Sequence, residues 1–330
     1  MTPTRRNFLS TSAGFGLAAA MDVRIALGQA LTKVRLTAGA NIGYSHQYVG
    51  EATGIFRKHG IDASVILFDV GFLGTEAVIA GQAETSGTVE FPLMNLLSKG
   101  ADLVVPAVII TADDLKIVAL TSIAKPEDFV GKKVGYIFGS SAHFAFDRYL
   151  SHFGIPRERV THINVPAAEQ PALMARGDID AFVWLEPMVK RGLDIMRGRA
   201  HVMKPGIEVA YKTRTYLQMS RAWVEKNQEA TVGLLRGFVE ADAFIRAEPR
   251  KTAEIAGKKL NIPADQAEEL LKQVGFDFSL YLDKDLTKVF DGVADWMRGQ
   301  NRLSGPAPDM NKVFVPQYLR QVNPALVKGF

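Results

Sequence analysis

The sequence predicts an α/β protein of two similar lobes, each a mostly parallel sheet flanked by helices. Three observations carry this reading. Short β-branched runs alternate with loops and helix-length stretches, a glycine-stopped helix pattern occurs twice, and 330 residues suffice for about two domains.

The elements follow in chain order. Val34-Arg35-Leu36-Thr37-Ala38 alternates apolar and polar residues as a strand does. Gly43-Tyr44-Ser45-His46 is then a loop, and Gln47 to Lys58 reads as a helix ending at His59-Gly60. Ile61 to Phe68 is the next strand, Gly71 to Gly74 a loop, and Thr75 to Ala80 a helix stopped by Gly81. The series recurs further on. Val134 to Phe138 is a strand, Gly139-Ser140-Ser141 a loop, and Ala142 to Phe153 a helix stopped by Gly154. Val160 to Val165 is a strand, and Pro166 to Arg176 a helix stopped by Gly177. Ala77-Val78-Ile79-Ala80-Gly81-Gln82-Ala83-Glu84 thus matches Leu173-Met174-Ala175-Arg176-Gly177-Asp178-Ile179-Asp180. Nine residues past each matching glycine stands a glutamate, Glu90 or Glu186, just before a helix-starting proline, Pro92 or Pro187. Two copies of this kind indicate two βαβαβ lobes rather than a solenoid.

Lys116 to Leu120 is expected to carry the chain from the first lobe to the second, and Thr215 to Met219 to bring it back. Two crossings make a hinge with a cleft between the lobes. Glu229 to Ala247, Pro249 to Leu260 and Ala264 to Val274 have helical spacing and are expected to pack around the first lobe. The expected organisation is a leader over residues 1–30, lobe one over 31–115, lobe two over 116–213, and a return with C-terminal helices over 214–330.

The leader carries Thr4-Arg5-Arg6-Asn7-Phe8-Leu9-Ser10, a weakly apolar Ala13 to Ala20, and small residues at Gly28 and Ala30. This resembles a twin-arginine export signal that is removed. Without Arg5, Arg6, Arg24 and Asp22 the chain has 36 basic and 34 acidic residues. That balance, with no Lys/Arg run, argues against a nucleic-acid partner. Cysteine is absent, which removes disulfides, thiolate metal sites, cysteine nucleophiles and a lipidated N-terminal cysteine. No apolar stretch reaches membrane-spanning length. No metal or cofactor motif appears, so no cofactor is expected.

Ligands of open α/β sheets sit beyond the C-terminal strand ends, where helix N-termini favour anions. Gly139-Ser140-Ser141 suits such a cradle, and it also suits a plain serine N-cap; Gly43-Tyr44-Ser45-His46 is its counterpart. Tyr44 and Trp184 can close over a flat ligand body, or serve as core aromatics. Glu90 and Glu186 can meet an amine or amidine, or act as helix-start carboxylates. His46 and His143, at helix N-termini, are expected to be neutral. The candidate ligand-binding set is Tyr44, Ser45, His46, Thr88, Glu90, Ser140, Ser141, His143, Trp184 and Glu186.

Ile42-Gly43-Tyr44, Gly81-Gln82-Ala83-Glu84, Gly131-Lys132-Lys133-Val134-Gly135, Gly139-Ser140-Ser141 and Gly177-Asp178-Ile179-Asp180-Ala181 with Trp184-Leu185-Glu186-Pro187 carry a resemblance. Across residues 33–300 the chain resembles the periplasmic substrate-binding proteins of ABC importers for nitrate, sulfonates, taurine and thiamine precursors. The tryptophan–acid–proline motif has one residue inserted before Glu186. The resemblance implies a type II periplasmic-binding fold that closes on one small organic anion or zwitterion. It also implies a periplasmic monomer working with a permease and its ATPase. Two alternatives stay open. One is an enzyme on this fold, resembling a desulfinase or a pyrimidine-precursor synthase, both of which need cysteines that this chain lacks. The other is a ligand-reporting partner of a membrane sensor.

Overall fold

The computed structural model describes residues 31–68 and 71–330, so the leader lies outside the described residues. The first sheet collects β1 (Thr32–Gly39), β2 (Ile61–Phe68), β3 (Thr85–Thr88), β4 (Leu103–Ala112) and β10 (Thr213–Ser220) in the order β2-β1-β3-β10-β4. The second collects β5 (Lys116–Leu120), β6 (Lys133–Tyr136), β7 (Thr161–Asn164), β8 (Ala181–Trp184) and β9 (Ala200–Val202) in the order β7-β6-β8-β5-β9. The two orders are the same order. In each sheet four strands run in one direction, and the strand that enters just after a crossing, β10 or β5, runs antiparallel to both neighbours.

The helices alternate with these strands as parallel connections require. In the first lobe they are α1 (Ser45–Ala52), α2 (Ile55–Lys58), α3 (Gly71–Ile79) and α4 (Glu90–Ser98). The second lobe has α5 (Ser141–His152), α6 (Gln170–Arg176) and α7 (Met188–Met196). After β10 come α8 (Arg221–Lys226), α9 (Gln228–Ala247), α10 (Pro249–Leu260), α11 (Ala264–Val274) and α12 (Leu286–Gly299). The expected helix from Gln47 to Lys58 is two helices, because Gly54 takes a left-handed φ of 73° and breaks the ladder. Lys116–Leu120 and Thr213–Ser220 are not linkers but strands within the sheets; the crossings are the short segments ahead of them, 113–115 and 203–212. Short apolar runs read equally well as connection or strand until their sheet partners are known.

A further tie joins the lobes away from the crossings. Trp296 on α12 donates its indole N–H to Asp147 Oδ2 on α5 at 2.8 Å. Arg157 Nε holds both oxygens of the same carboxylate at 3.0 Å. The Trp296 ring packs edge-on against Phe91 of α4 and against His143 and Phe144 of α5. A hydrogen bond to a buried charge contributes about 1.5–3 kcal/mol. Trp296→Phe should therefore lower unfolding stability by about that amount, as chemical denaturation would show. An unchanged midpoint and slope would mean the tie carries no energy.

Candidate functional site

Between the sheets, at the C-terminal ends of the parallel strands, lies a cavity of about 300 Å³. Its first-lobe wall holds Asn41, Tyr44, Phe72 and Thr88; its second-lobe wall holds Ser140, Ser141, Trp184 and Glu186. The floor is the hinge itself, with Asp114 from the first crossing and Thr213 and Thr215 from the start of β10.

Each side chain is placed by local structure. Asn41 accepts the Gly43 N–H at 2.9 Å and opens the short 3-10 turn that delivers Tyr44. Tyr44 is buried, donates its hydroxyl to the Gly87 carbonyl at 2.7 Å, and so presents its ring. Position 87 has to be glycine for this packing: a Cβ there would stand 3.1 Å from the Tyr44 ring and 2.9 Å from Thr215 Cγ2. Across the cleft, Gly139 turns the chain at φ 81°, and Ser140 caps α5. The Ser140 hydroxyl donates to the Ile137 carbonyl at 2.7 Å, so its proton is committed within the loop. Among the described residues the Ser141 hydroxyl has no such partner, and it lines the cavity. Trp184 ends β8, and Glu186 follows it and accepts the Lys190 N–H at 3.0 Å, at the start of α7.

Of the ten residues selected from sequence, the structure brings Tyr44, Thr88, Ser140, Ser141, Trp184 and Glu186 to the cavity. The other four are placed elsewhere. Ser45 is buried and donates back to the Ile42 carbonyl at 2.6 Å. His46 is buried between Phe238 and Phe278, with ring centroids 4.9 and 5.2 Å away. Burial lowers its pKa to about 3, so it is neutral, yet it donates to no ligand surface. His143 stacks on Tyr136 and Phe138, and its Nδ1 accepts the Gly139 N–H at 3.2 Å. Burial first, then the Arg157 charge, lowers its pKa to about 3.

Glu90 is fully buried beside the cavity rather than in it. Its carboxylate accepts the Tyr211 hydroxyl at 2.7 Å and the Tyr216 hydroxyl at 3.1 Å, with Arg214 Nη1 at 3.9 Å. It thereby locks the return crossing onto α4. The two glutamates that look equivalent in sequence do different work, because only the first faces tyrosines from the return crossing and β10.

Sequence reasoning missed Asp114, Thr213, Thr215, Phe72 and Phe276. Asp114 and the threonines stand where the chain changes sheets, and a location of that kind has no local motif. Among the described lining residues the charged side chains are Asp114 and Glu186, both acidic. No group of three metal-ligating side chains occurs among the described residues, and none of the described helices is long and apolar enough to span a membrane.

Comparison with known proteins gives a consistent picture. The sequence pattern of the NMT1-like family matches residues 28–258. The bicarbonate-binding protein CmpA of Synechococcus elongatus is 26% identical over 314 residues, covering 82% of this chain and 67% of that protein. A taurine-binding periplasmic protein of Escherichia coli is 30% identical over 145 residues, or 41% of this chain and 43% of that one. Among solved structures, the periplasmic aliphatic sulphonate binding protein SsuA of Escherichia coli superposes with a TM-score of 0.74 at 20% identity. That match covers 86% of this chain and 97% of SsuA. The fold is therefore that of the periplasmic binding proteins.

The Glu90 arrangement has a pH signature. Burial raises its carboxyl pKa, against the opposing hydrogen bonds from the tyrosines and the Arg214 charge. A folded pKa above the unfolded one adds stability that is full below the unfolded carboxyl range and is lost as pH rises through the folded value. Glu90→Gln, fixed in the neutral form, should therefore gain on the wild type as pH rises from the carboxyl range to neutrality. Denaturation curves at both pH values check this; a constant gap between the two proteins would contradict it.

Proposed function

The chain belongs to the NMT1-like family, and on that premise we propose that it is the solute-binding component of an ABC importer. It captures one small organic solute, an anion or zwitterion, between its lobes and delivers it to a membrane permease and the associated ATPase. The observation that carries the reading is the cavity itself, walled by both lobes and floored by the hinge. A solute there touches residues of both lobes, so it binds the closed arrangement better than the open one and shifts the population toward closure.

In this reading Tyr44 and Trp184 sandwich the solute body from opposite lobes. Thr88, Ser141 and the free N–H groups at the start of α5 supply hydrogen bonds, with the helix dipole favouring a negatively charged end. Glu186 stands at the second-lobe rim. Ser45, His46, Glu90 and His143 support these residues from behind. The leader over residues 1–30 is read as a twin-arginine signal that sends the folded monomer to the periplasm. Lobe boundaries are read at 115/116, just after the first crossing, and at 213/214, one residue inside β10. Catalysis is disfavoured on two grounds: the chain has no cysteine, and the Ser140 hydroxyl donates to Ile137 rather than to His143.

Thermal denaturation with a panel of nitrate, bicarbonate, taurine, alkanesulfonates, aromatic carboxylates and thiamine precursors tests the proposal. A true solute at about 100 times its Kd adds roughly 2.7 kcal/mol and raises the melting temperature accordingly. Trp184→Ala should abolish that shift. A panel with no stabilising member would count against the reading.

A further inference from the structure

Granted that the cleft is the solute site, its lining says more about the solute than the family does. Asp114 belongs to neither lobe's sheet. It sits on the crossing between β4 and β5 and lines the cavity. Its Oδ1 is sealed from solvent and has no hydrogen-bond partner among the described residues. A buried carboxylate oxygen left without a donor is costly, so such an atom marks the place where a donor is missing.

Neighbouring polar groups leave that oxygen free, the Thr213 hydroxyl acting on the carboxyl without pairing Oδ1. Tyr44 spends its hydroxyl on the Gly87 carbonyl, and Ser140 spends its own on the Ile137 carbonyl. Glu186 is engaged with the first turn of α7 through the Lys190 N–H. Lys116, the next charged residue along the chain, acts on Asp114 through space but forms no ion pair with it. Neither lysine nor arginine is found among the described residues of the lining, so no cation of the protein competes for Asp114 within the cavity. Beside this unpaired oxygen the walls carry the aromatic side chains Tyr44, Phe72, Trp184 and Phe276.

We propose that the solute carries a protonated nitrogen, an ammonium or amidinium on an apolar or aromatic body, and that Asp114 at the base of the cleft receives it. An N–H donor from such a group gives the free Oδ1 a charge-assisted hydrogen bond. Burial pushes the Asp114 carboxyl pKa upward, with the Thr213 hydroxyl and the Asp114 and Leu115 N–H groups opposing it. A cation completes what those donors begin. Because Asp114 lies on the crossing, the contact also fixes the hinge at the moment the walls close. A purely anionic solute would instead bring its charge against two carboxylates. A zwitterion fits when its positive end points down to Asp114 and its negative end toward the start of α5.

The test is isothermal titration of the full chain with benzylamine and benzamidine, set against benzyl alcohol and benzoate, which keep the ring and change the charge. Wild type is expected to bind the two cations in preference to the neutral and anionic analogues. Asp114→Asn should weaken the cations roughly tenfold to a hundredfold, the worth of a hydrogen bond to a charged group. Trp184→Ala should weaken every probe that enters the cleft. Melting of Asp114→Asn without probe shows whether the fold is kept, and Asp114→Ser repeats the comparison if asparagine disturbs it. Benzoate binding that Trp184→Ala removes and Asp114→Asn spares, with no cation binding, overturns the proposal and leaves the cleft as the solute site. Cation binding indifferent to both Asp114 variants overturns it as well. If no probe of any charge binds, the proposal fails, and the cleft then stands or falls with the panel of candidate solutes.

Discussion

The buried carboxylate of Glu90 is the constraint from which the cleft takes its shape. A carboxylate without access to water is expensive unless donors surround it. Here the donors are Tyr211 and Tyr216, at opposite ends of the segment by which the chain re-enters the first sheet. Meeting the demands of Glu90 therefore fixes the second crossing, the start of β10 and the N-terminus of α4 together. Thr213 and Thr215 lie between the two tyrosines, and so they are held as the floor of the cavity. The return crossing is thereby pinned to the first lobe.

Around that fixed floor the two lobes contribute unlike things. The first lobe brings a locked aromatic, Tyr44, whose hydroxyl is tied to Gly87 and whose ring fits only because residue 87 has no side chain. The second brings a capped helix N-terminus at Ser140 and Ser141, and the indole of Trp184. Neither wall alone encloses a solute. In the proposed function, binding energy is collected in full only when both reach the same molecule, which would couple occupancy to closure. The Trp296–Asp147 contact joins the lobes at a place remote from the solute, and its strength helps set how far the closed arrangement is favoured in advance.

Much of this was legible in the sequence, and the exceptions share one cause. The helices over 228–247, 249–260 and 264–274 follow their apolar spacing and their Pro, Asn and Gly boundaries closely, because helix limits are local information. The repeated glycine-stopped helices likewise expose the two-lobed plan. What failed was whatever depends on residues far along the chain. His46 looks like a loop ligand until Phe238 and Phe278 fold over it. Glu90 looks like a twin of Glu186 until Tyr211 and Tyr216 arrive from more than a hundred residues away. Asp114 carries no motif at all; its importance comes from standing where the chain leaves one sheet for the other. Lys116–Leu120, the expected linker, became a strand because β8 and β9 lie on either side of it.

The central claim is that a solute closes two lobes about this floor, and the absence of cysteine makes it directly measurable. Glu76 on α3 and Glu169 just ahead of α6 are exposed positions on opposite lobes, close in sequence to the cavity residues Phe72 and Ala168. Spin labels on the pair Glu76→Cys and Glu169→Cys report the distance between lobes with no competing thiol. The account expects a saturating solute to shift the distance distribution to a shorter and narrower one, and Trp184→Ala to suppress that shift. A solute that binds at saturation and leaves the distribution unchanged would contradict it.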